Sequence, residues 1–323
     1  MNISRHRVLA SGRSIASGRF KEKECATSDQ PRAHASALNR IERSRLLGSV
    51  HKIQVFDCVF HVDAERPLGL PAAVFVLSTD DDEVYRYPHA KLIHIAGMTR
   101  SAAIKAMQAY PPEDLGERDG VWVETFVAGH RLDGVDSHQQ FSYIPLASIG
   151  HAHADGMIRR MMIVAPFGHE LQLRHLADQL DGKQLKPKGG GEGPVLHRLG
   201  EDGVTRVYLG TSAVLASVTP VILPGHDDHK PNKTIKLIQR AFSQSGIDQP
   251  CEFTWSAQPN FRNSLTAHKY DRSGNLTGYQ RPRHLDALTA VHVRVRFEHP
   301  VAGPLSIGAG RHCGLGVLAA LTL

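Results

Sequence analysis

Gly303-Pro304-Leu305-Ser306-Ile307-Gly308-Ala309-Gly310-Arg311-His312-Cys313-Gly314-Leu315-Gly316 places five glycines around one Arg-His pair. Glycine at that density marks backbone that bends sharply or approaches another group closely. A dinucleotide or P-loop fingerprint needs a helix directly after the loop, and the dinucleotide case needs a further strand. Only Val317 to Leu323 follow here. The stretch therefore reads as a loop that closes a final β-element, with Arg311 and His312 expected at its tip, facing a phosphate-rich partner.

Upstream, the pattern alternates between strand and helix. Val291-His292-Val293-Arg294-Val295-Arg296-Phe297 sends valines and Phe297 to one side and His292, Arg294 and Arg296 to the other. Lys233 to Ser245 reads as a helix burying Ile235, Ile238, Ala241 and Phe242, with Gly246 as its stop, and Glu252 to Ala257 reads as a strand. Phe141 to Ile149 and Met157 to Ala165 read as strands. A helix follows, with Leu173, Leu176, Ala177 and Leu180 on one face and Gly182 after it. Strands are expected near Arg206–Leu209 and Leu215–Leu223. Further upstream, Ala72 to Leu77 is strand-like, and a helix is expected at Ser101–Tyr110, stopped by Pro111-Pro112. Two successive units of this kind fit an α+β chain of tandem ferredoxin-like (RRM-like) βαββαβ modules with a C-terminal glycine-rich loop, not a parallel doubly wound sheet. The expected divisions are a basic, disordered arm or transit-like segment over 1–50, a short region over 51–136, a first module over 137–210 and a second over 211–323.

The net charge of +6 and the 20 histidines favour a polyanionic partner, although a merely soluble basic enzyme has a similar balance. Cys25, Cys58, Cys251 and Cys313 are scattered. That spacing argues against a disulfide framework or a cysteine zinc site and suits a cytoplasmic location. Val207 to Pro224 lacks charge but carries Gly210, Ser217, Thr219 and Pro220, so it reads as buried strands and not as a membrane span.

Three groups can carry chemistry. Gly150-His151-Ala152-His153-Ala154-Asp155-Gly156 lies between two strands. It can bind one zinc, serve acid–base catalysis without metal, or simply form a histidine-rich turn. His226-Asp227-Asp228-His229-Lys230 precedes the basic helix; its aspartates suit helix capping, and Lys230 is a candidate phosphate contact. Lys233, Lys236 and Arg240 fall at i, i+3, i+7, the usual pattern of a solvated face. Arg281, Arg283, Arg294, Arg296 and Arg311 are expected to join them in one anionic-polymer track.

The glycine-rich tail, closing a second ferredoxin-like module, resembles the RAMP superfamily of CRISPR-associated RNA-binding proteins. Tyr143-Ile144-Pro145-Leu146 running into the His151–Asp155 segment, Val218-Thr219-Pro220-Val221 and Gly308 to Gly316 together resemble the fused crRNA-capping and processing (Csb family) subunit of type I-U (I-G) systems. Arg86-Tyr87-Pro88 and Leu92 to Met98 extend the match upstream, and 51–136 is shorter than the capping half of that family. The resemblance implies a crRNA-processing endoribonuclease that works without metal or other cofactor and leaves a 2′,3′-cyclic phosphate. His151, His153 and Lys230 would be catalytic. Lys233, Lys236, Arg240, Arg281, Arg283, Arg294, Arg296, Gly308, Gly310, Arg311, His312, Gly314 and Gly316 would hold RNA. The implied partners are CRISPR repeat RNA or crRNA and other subunits of a type I effector complex, with no membrane. A non-catalytic crRNA-binding subunit stays open, as does a metallohydrolase built on His151, His153, Asp155 and the 226–229 cluster.

Overall fold

The computed structural model describes residues 4–8 (backbone only), 69–113, 119–130, 139–249, 251–271 and 273–321, all within one unit of the chain. Apart from 4–8, the expected 1–50 arm lies outside them. Twelve strands are described. They are β1 (Ser4–Val8), β2 (Ala72–Ser78), β3 (Ser142–Ala147), β4 (Ile158–Val164), β5 (Lys183–Gln184), β6 (Val195–Leu199), β7 (Thr211–Ser217), β8 (Val221–Ile222), β9 (Cys251–Ser256), β10 (Ala290–Ala302), β11 (Leu305–Ser306) and β12 (Val317–Ala320). The α-helices are α1 (Leu92–Ala109), α2 (Asp119–Trp122), α3 (Glu170–Leu180), α4 (Gly203–Leu209) and α5 (Pro231–Ser243).

One sheet runs β3-β4-β2-β6-β5 and is antiparallel throughout. With α1 and α3 as crossovers, its first four strands have the order of a ferredoxin-like βαββαβ module. The other sheet runs β1-β9-β10-β7-β12-β11, and β9-β10-β7-β12 repeats that order with α5 as the first helix. Where the second helix of this module would lie, the chain runs through the glycine-rich stretch instead, with one short 3₁₀ turn at Arg311–Cys313. The α+β tandem architecture follows from these orders.

Alternation explains how the layers meet. Phe75, Leu77, Met161 and Ile163 turn toward α1 and α3, where Ile95, Ala103, Met107, Leu173 and Leu176 cover them. Val74, Ile144, Leu146, Met162 and Val164 turn the other way and pack against Ala216, Val218, Val317 and Ala319 of the second sheet. All six residues of β3 are buried, as expected for a strand covered on both faces. In the second module Phe253, Val293, Val295 and Phe297 pack under Leu237, Ile238, Ala241 and Phe242 of α5. Fully burying one such side chain contributes roughly 1.5–3 kcal/mol.

Several expectations are corrected. The first module begins at Ala72, not at 137, because β2 is a central strand between β4 and β6. The described part of the 51–136 region therefore holds a strand and a helix of that module. Helix α1 starts at Leu92, nine residues before Ser101, and passes through Gly97 without a break. Arg206–Leu209 belongs to a helix. Asp202 caps it, accepting the Val204 and Thr205 N–H groups at 3.0 and 2.8 Å, and Thr205 Oγ1 accepts the Asp202 N–H at 2.7 Å. That reciprocal pair favours helix over strand. Residues 4–8 pair along β9 as an edge strand.

A buried polar network ties the modules. The Tyr279 hydroxyl lies 3.2 Å from His89 Nδ1 and 3.2 Å from the Val218 carbonyl, and accepts the Leu265 N–H at 3.2 Å. His292 has Nδ1 3.1 Å from Ser217 Oγ and Nε2 2.8 Å from the Leu265 carbonyl. Burial, then the nearby His292, pushes His89 down to about 3, and burial also lowers His292. Both rings thus stay neutral in the native protein at pH values where the unfolded chain takes up protons. Stability is full above about pH 6.5 and falls with acidification, by about 1.4 kcal/mol per pH unit for His89, with His292 acting in the same direction. The urea midpoint is expected to drop between pH 7 and pH 5, above the range of most carboxylates, and His89→Gln is expected to reduce that drop.

The glycines of the tail are a second structural test. At Gly316, with φ 72°, an added Cβ would lie 1.9 Å from the Ile307 carbonyl oxygen. Gly316→Ala is expected to destabilise the fold by roughly 2–4 kcal/mol, read as a lower urea midpoint at unchanged slope.

Candidate nucleic-acid site

The β3–β4 connection is a tight hairpin turned by Gly150 and Gly156, with φ of 75° and 73°. Its neck is closed by Ser148 N–H to Met157 O and Gly156 N–H to Ser148 O, both 3.0 Å. His151 is exposed, and its Nε2 lies 2.9 Å from Ser148 Oγ. His153 is exposed at the tip. Asp155 is committed elsewhere. Arg159 grips both of its oxygens, at 2.7 and 2.6 Å, and the Met157 N–H donates to Oδ1 at 3.0 Å. The Arg159 guanidinium therefore holds this carboxyl well below the usual carboxylate range. A metal site that used Asp155 as a ligand beside His151 and His153 would have to displace that fork. Among the described residues, no three His, Cys, Asp or Glu side chains converge in a ligand geometry. From the second module, Asn263 Nδ2 donates to the Ala154 carbonyl at 2.5 Å and braces the turn.

A second histidine–hydroxyl pair stands beside this hairpin, and the sequence reading passed over it. Tyr87 exchanges two backbone hydrogen bonds with Ile158, at 2.9 and 3.0 Å, where the hairpin enters β4. Its hydroxyl lies 3.2 Å from Nδ1 of His94, an exposed residue in the first turn of α1. Tyr85 stacks on Tyr87, with ring centroids 6.3 Å apart. Burial, then the Tyr85 phenol, raises the Tyr87 phenol, so it keeps its proton and can donate to the imidazole. Tyr87 and His94 are seven residues apart, and only the turn into α1 joins them, so no periodicity announces the pair.

Further along α1 opens a cleft of about 410 Å³ between the first module's helix layer, the 282–285 segment and the glycine-rich stretch. Gly97, Arg100, Phe141, Tyr143, His284 and His312 are among its walls. The ring of His312 is set by Ser142 Oγ, 2.8 Å from Nδ1. No described residue gives Arg100 a hydrogen bond or an ion pair.

Arg311 is not at an exposed tip. It is buried, and its Nη1 donates to the Gly308 carbonyl at 3.2 Å. The glycines beside it serve close packing. An added Cβ would lie 2.5 Å from Ile222 O at Gly308, 2.8 Å from Leu315 Cβ at Gly310 and 2.7 Å from Pro145 Cδ at Gly314.

The cationic residues do not form one track. Helix α5 covers the Val293–Phe297 face of β10, so its exposed Lys236 and Arg240 point away from the sheet. Arg294 and Arg296 are exposed on the opposite face of β10. Lys233 is paired with Asp228 at 2.8 Å. Lys230 is exposed at the start of α5 and does not line the cleft. Arg281 is a brace inside the β9–β10 connection, donating to the Leu288 and Ala267 carbonyls at 3.1 and 2.5 Å, and burial lowers its pKa. Arg283 is exposed next to His284. His292, expected beside Arg294 at the surface, is covered by the same connection. Asp227 holds the loop before α5: it is buried, accepting Thr234 Oγ1 and Thr289 Oγ1 at 2.8 Å each. Burial raises its pKa, but these hydrogen bonds outweigh that and leave it lowered.

No protein-family model matches the chain, and no curated protein matches it. Three solved structures are similar to it at a distance. A CRISPR-associated protein Cas6 has 12% identity over 78% of this chain and 99% of its own, with a TM-score of 0.37. A Cas6-related protein from Pyrococcus furiosus has 10% identity over 77% and 98%, with a TM-score of 0.38. A Cas6 product complex has 12% identity over 78% and 100%, with a TM-score of 0.33.

Proposed function

We propose that the chain binds CRISPR repeat RNA and cuts it by attack of a ribose 2′-hydroxyl on the adjacent phosphorus, without metal. The reading is carried by one arrangement. Two ferredoxin-like modules, the second with a glycine-rich segment in place of its last helix, put two hydroxyl-bound histidines along α1 and the neighbouring hairpin, with an arginine that has no hydrogen-bond or ion-pair partner among the described residues. The sequence motifs that resemble the RAMP superfamily support the same assignment, including the finer one to the processing subunit of type I-U systems.

The chemistry is self-contained. One imidazole removes the 2′-OH proton, and the 2′-oxygen forms a bond to phosphorus. The bond from phosphorus to the 5′-oxygen breaks, and a second group protonates the departing oxygen. The products are a 2′,3′-cyclic phosphate and a 5′-hydroxyl. His94, His151 and His153 are the candidates for these two proton transfers. Ser148 orients His151 and Tyr87 orients His94. Arg100 would steady the charge on the phosphorane. DNA lacks the nucleophile and cannot react.

RNA that co-purifies with the protein supplies the substrate for the test. Wild type is expected to cut it in EDTA and leave a cyclic phosphate. His94→Ala or His151→Ala is expected to slow cutting by about 10²–10⁴-fold with binding retained. A 2′-deoxy nucleotide at the cut position is expected to abolish it. RNA that binds but stays intact with wild type would leave a binding protein only, and cutting that depends on added metal would favour the metallohydrolase.

Affinity is also expected to fall steeply with salt, as lysines and arginines displace condensed counterions. If the α5 stripe contacts phosphates, Lys236→Ala with Arg240→Ala lowers the slope of log K against log salt by about 1.4, at roughly 0.7 per contact for single strands. An unchanged slope would remove that stripe from the binding surface.

A further inference from the structure

Gly97 stands six residues into an eighteen-residue helix, away from both ends. A glycine there is less stable than alanine by about 1 kcal/mol. In the C-terminal stretch the glycines are explained by what crowds them. Gly303, Gly308, Gly314 and Gly316 would each drive a Cβ into a neighbouring atom at less than 3.0 Å. Gly97 has the ordinary backbone of a helix, and beyond the adjoining backbone of that helix no described atom lies within 4 Å of where its Cβ would be. Neither backbone geometry nor packing requires glycine at this point. What it does is leave the wall of the cleft open, so that a bound group can approach the helix backbone closely.

The cleft around it is mixed in character. Phe141 and Tyr143 present apolar wall, and Arg100, His284 and His312 supply positive charge or hydrogen-bonding nitrogen. Arg100 follows Gly97 by three residues, one turn along the same side of α1. The volume of about 410 Å³ falls in the range of pockets for small organic groups and is far too small for a helical stem. A flat apolar body with one negative charge at its edge fits these walls. On the reading of the chain as an RNA-processing protein, the geometry points to a single unpaired ribonucleotide of the bound RNA. Its base is pulled out of the stack into the cleft against Gly97, and its phosphate rests on Arg100.

The test places 2-aminopurine, whose fluorescence rises when it leaves a stack, at successive positions of the co-purifying RNA. With the full-length protein, one position is expected to brighten on binding while the others do not. Gly97→Leu, which fills the cleft, is expected to abolish that signal and weaken binding by about tenfold or more, a loss of the size of one stacked base. Arg100→Gln is expected to weaken binding without abolishing the signal. Gly97→Ala separates blocking from misfolding: it is expected to raise the thermal midpoint and retain most of the binding.

No brightening at any position, or equal binding by Gly97→Leu and wild type, overturns the inference. The two readings fail separately. A brightened base in an RNA that is never cut keeps the pocket and removes the nuclease. Cutting at the wild-type rate by Gly97→Leu, with no unstacked base, removes the pocket and keeps the nuclease. An RNA that does not bind at all removes both.

Discussion

Gly314 lies against the first module so closely that one added methyl would meet Pro145 Cδ at 2.7 Å and Leu92 Cδ1 at 3.0 Å. The rest of the architecture depends on that approach. The second module has no helix at this place, and a helix with its side chains would hold the neighbouring layer off by 8–10 Å between axes. A glycine-rich strand of backbone instead lets the two sheets meet face to face, with Val74, Ile144 and Met162 against Ala216, Val317 and Ala319. Thr219 ties the joint from below, donating its hydroxyl to the Gly314 carbonyl at 2.9 Å and accepting the Val317 N–H at 3.0 Å. The tail glycines are thus a packing device first. Their effect on the candidate site is indirect: they set His312 beside Ser142 and form one wall of the cleft.

What the sequence disclosed follows from the range of the forces involved. Strict alternation in β10 and the 3.6-residue periodicity of α3 and α5 are local, and each gave both element and buried face. In helix α4, valine and tyrosine suggest a strand, while its start is decided by the Asp202–Thr205 cap. The first turns of helix α1 are hidden in the sequence because Gly97 and the Leu92–Ile95 run look unlike helix. The first module was bounded wrongly for a topological reason. Its central strand β2 (Ala72–Ser78) pairs with β4 (Ile158–Val164) and β6 (Val195–Leu199), far along the chain, and spacing does not announce that they share a sheet.

The candidate site was legible only where it was local. His151 and His153 were visible as a pair, and Ser148 is three residues from His151. The contact of Ser142 with His312 spans 170 residues, and the brace from Asn263 to Ala154 spans 109. Spacing says nothing about such pairs. Arg311 and Arg281 illustrate the opposite failure. Both looked like phosphate ligands by residue type, and both bury their guanidinium groups against backbone carbonyls. An arginine can be the brace of an irregular loop as readily as the grip on a polyanion, and only burial separates the two.

The β9–β10 connection, residues 257–289, is where these strands of argument join. A connection of that length is uncommon in a compact module and is usually functional. Here it reaches Ala154 through Asn263, His89 through Tyr279 and the cleft wall through His284. One segment of the second module therefore fixes the histidine hairpin, the entry to α1 and the mouth of the cleft, all of which belong to the first. Polar groups paired within the connection brace it. Arg281 draws the Ala267 and Leu288 carbonyls together, and Lys269 draws in Asp286 at 2.8 Å. The neutral, buried His89–Tyr279 contact then holds it to the first module without placing a charge in the joint. A charged pair there would have carried a desolvation penalty of several kcal/mol per ion. Two imidazoles kept uncharged by burial avoid that ionic penalty.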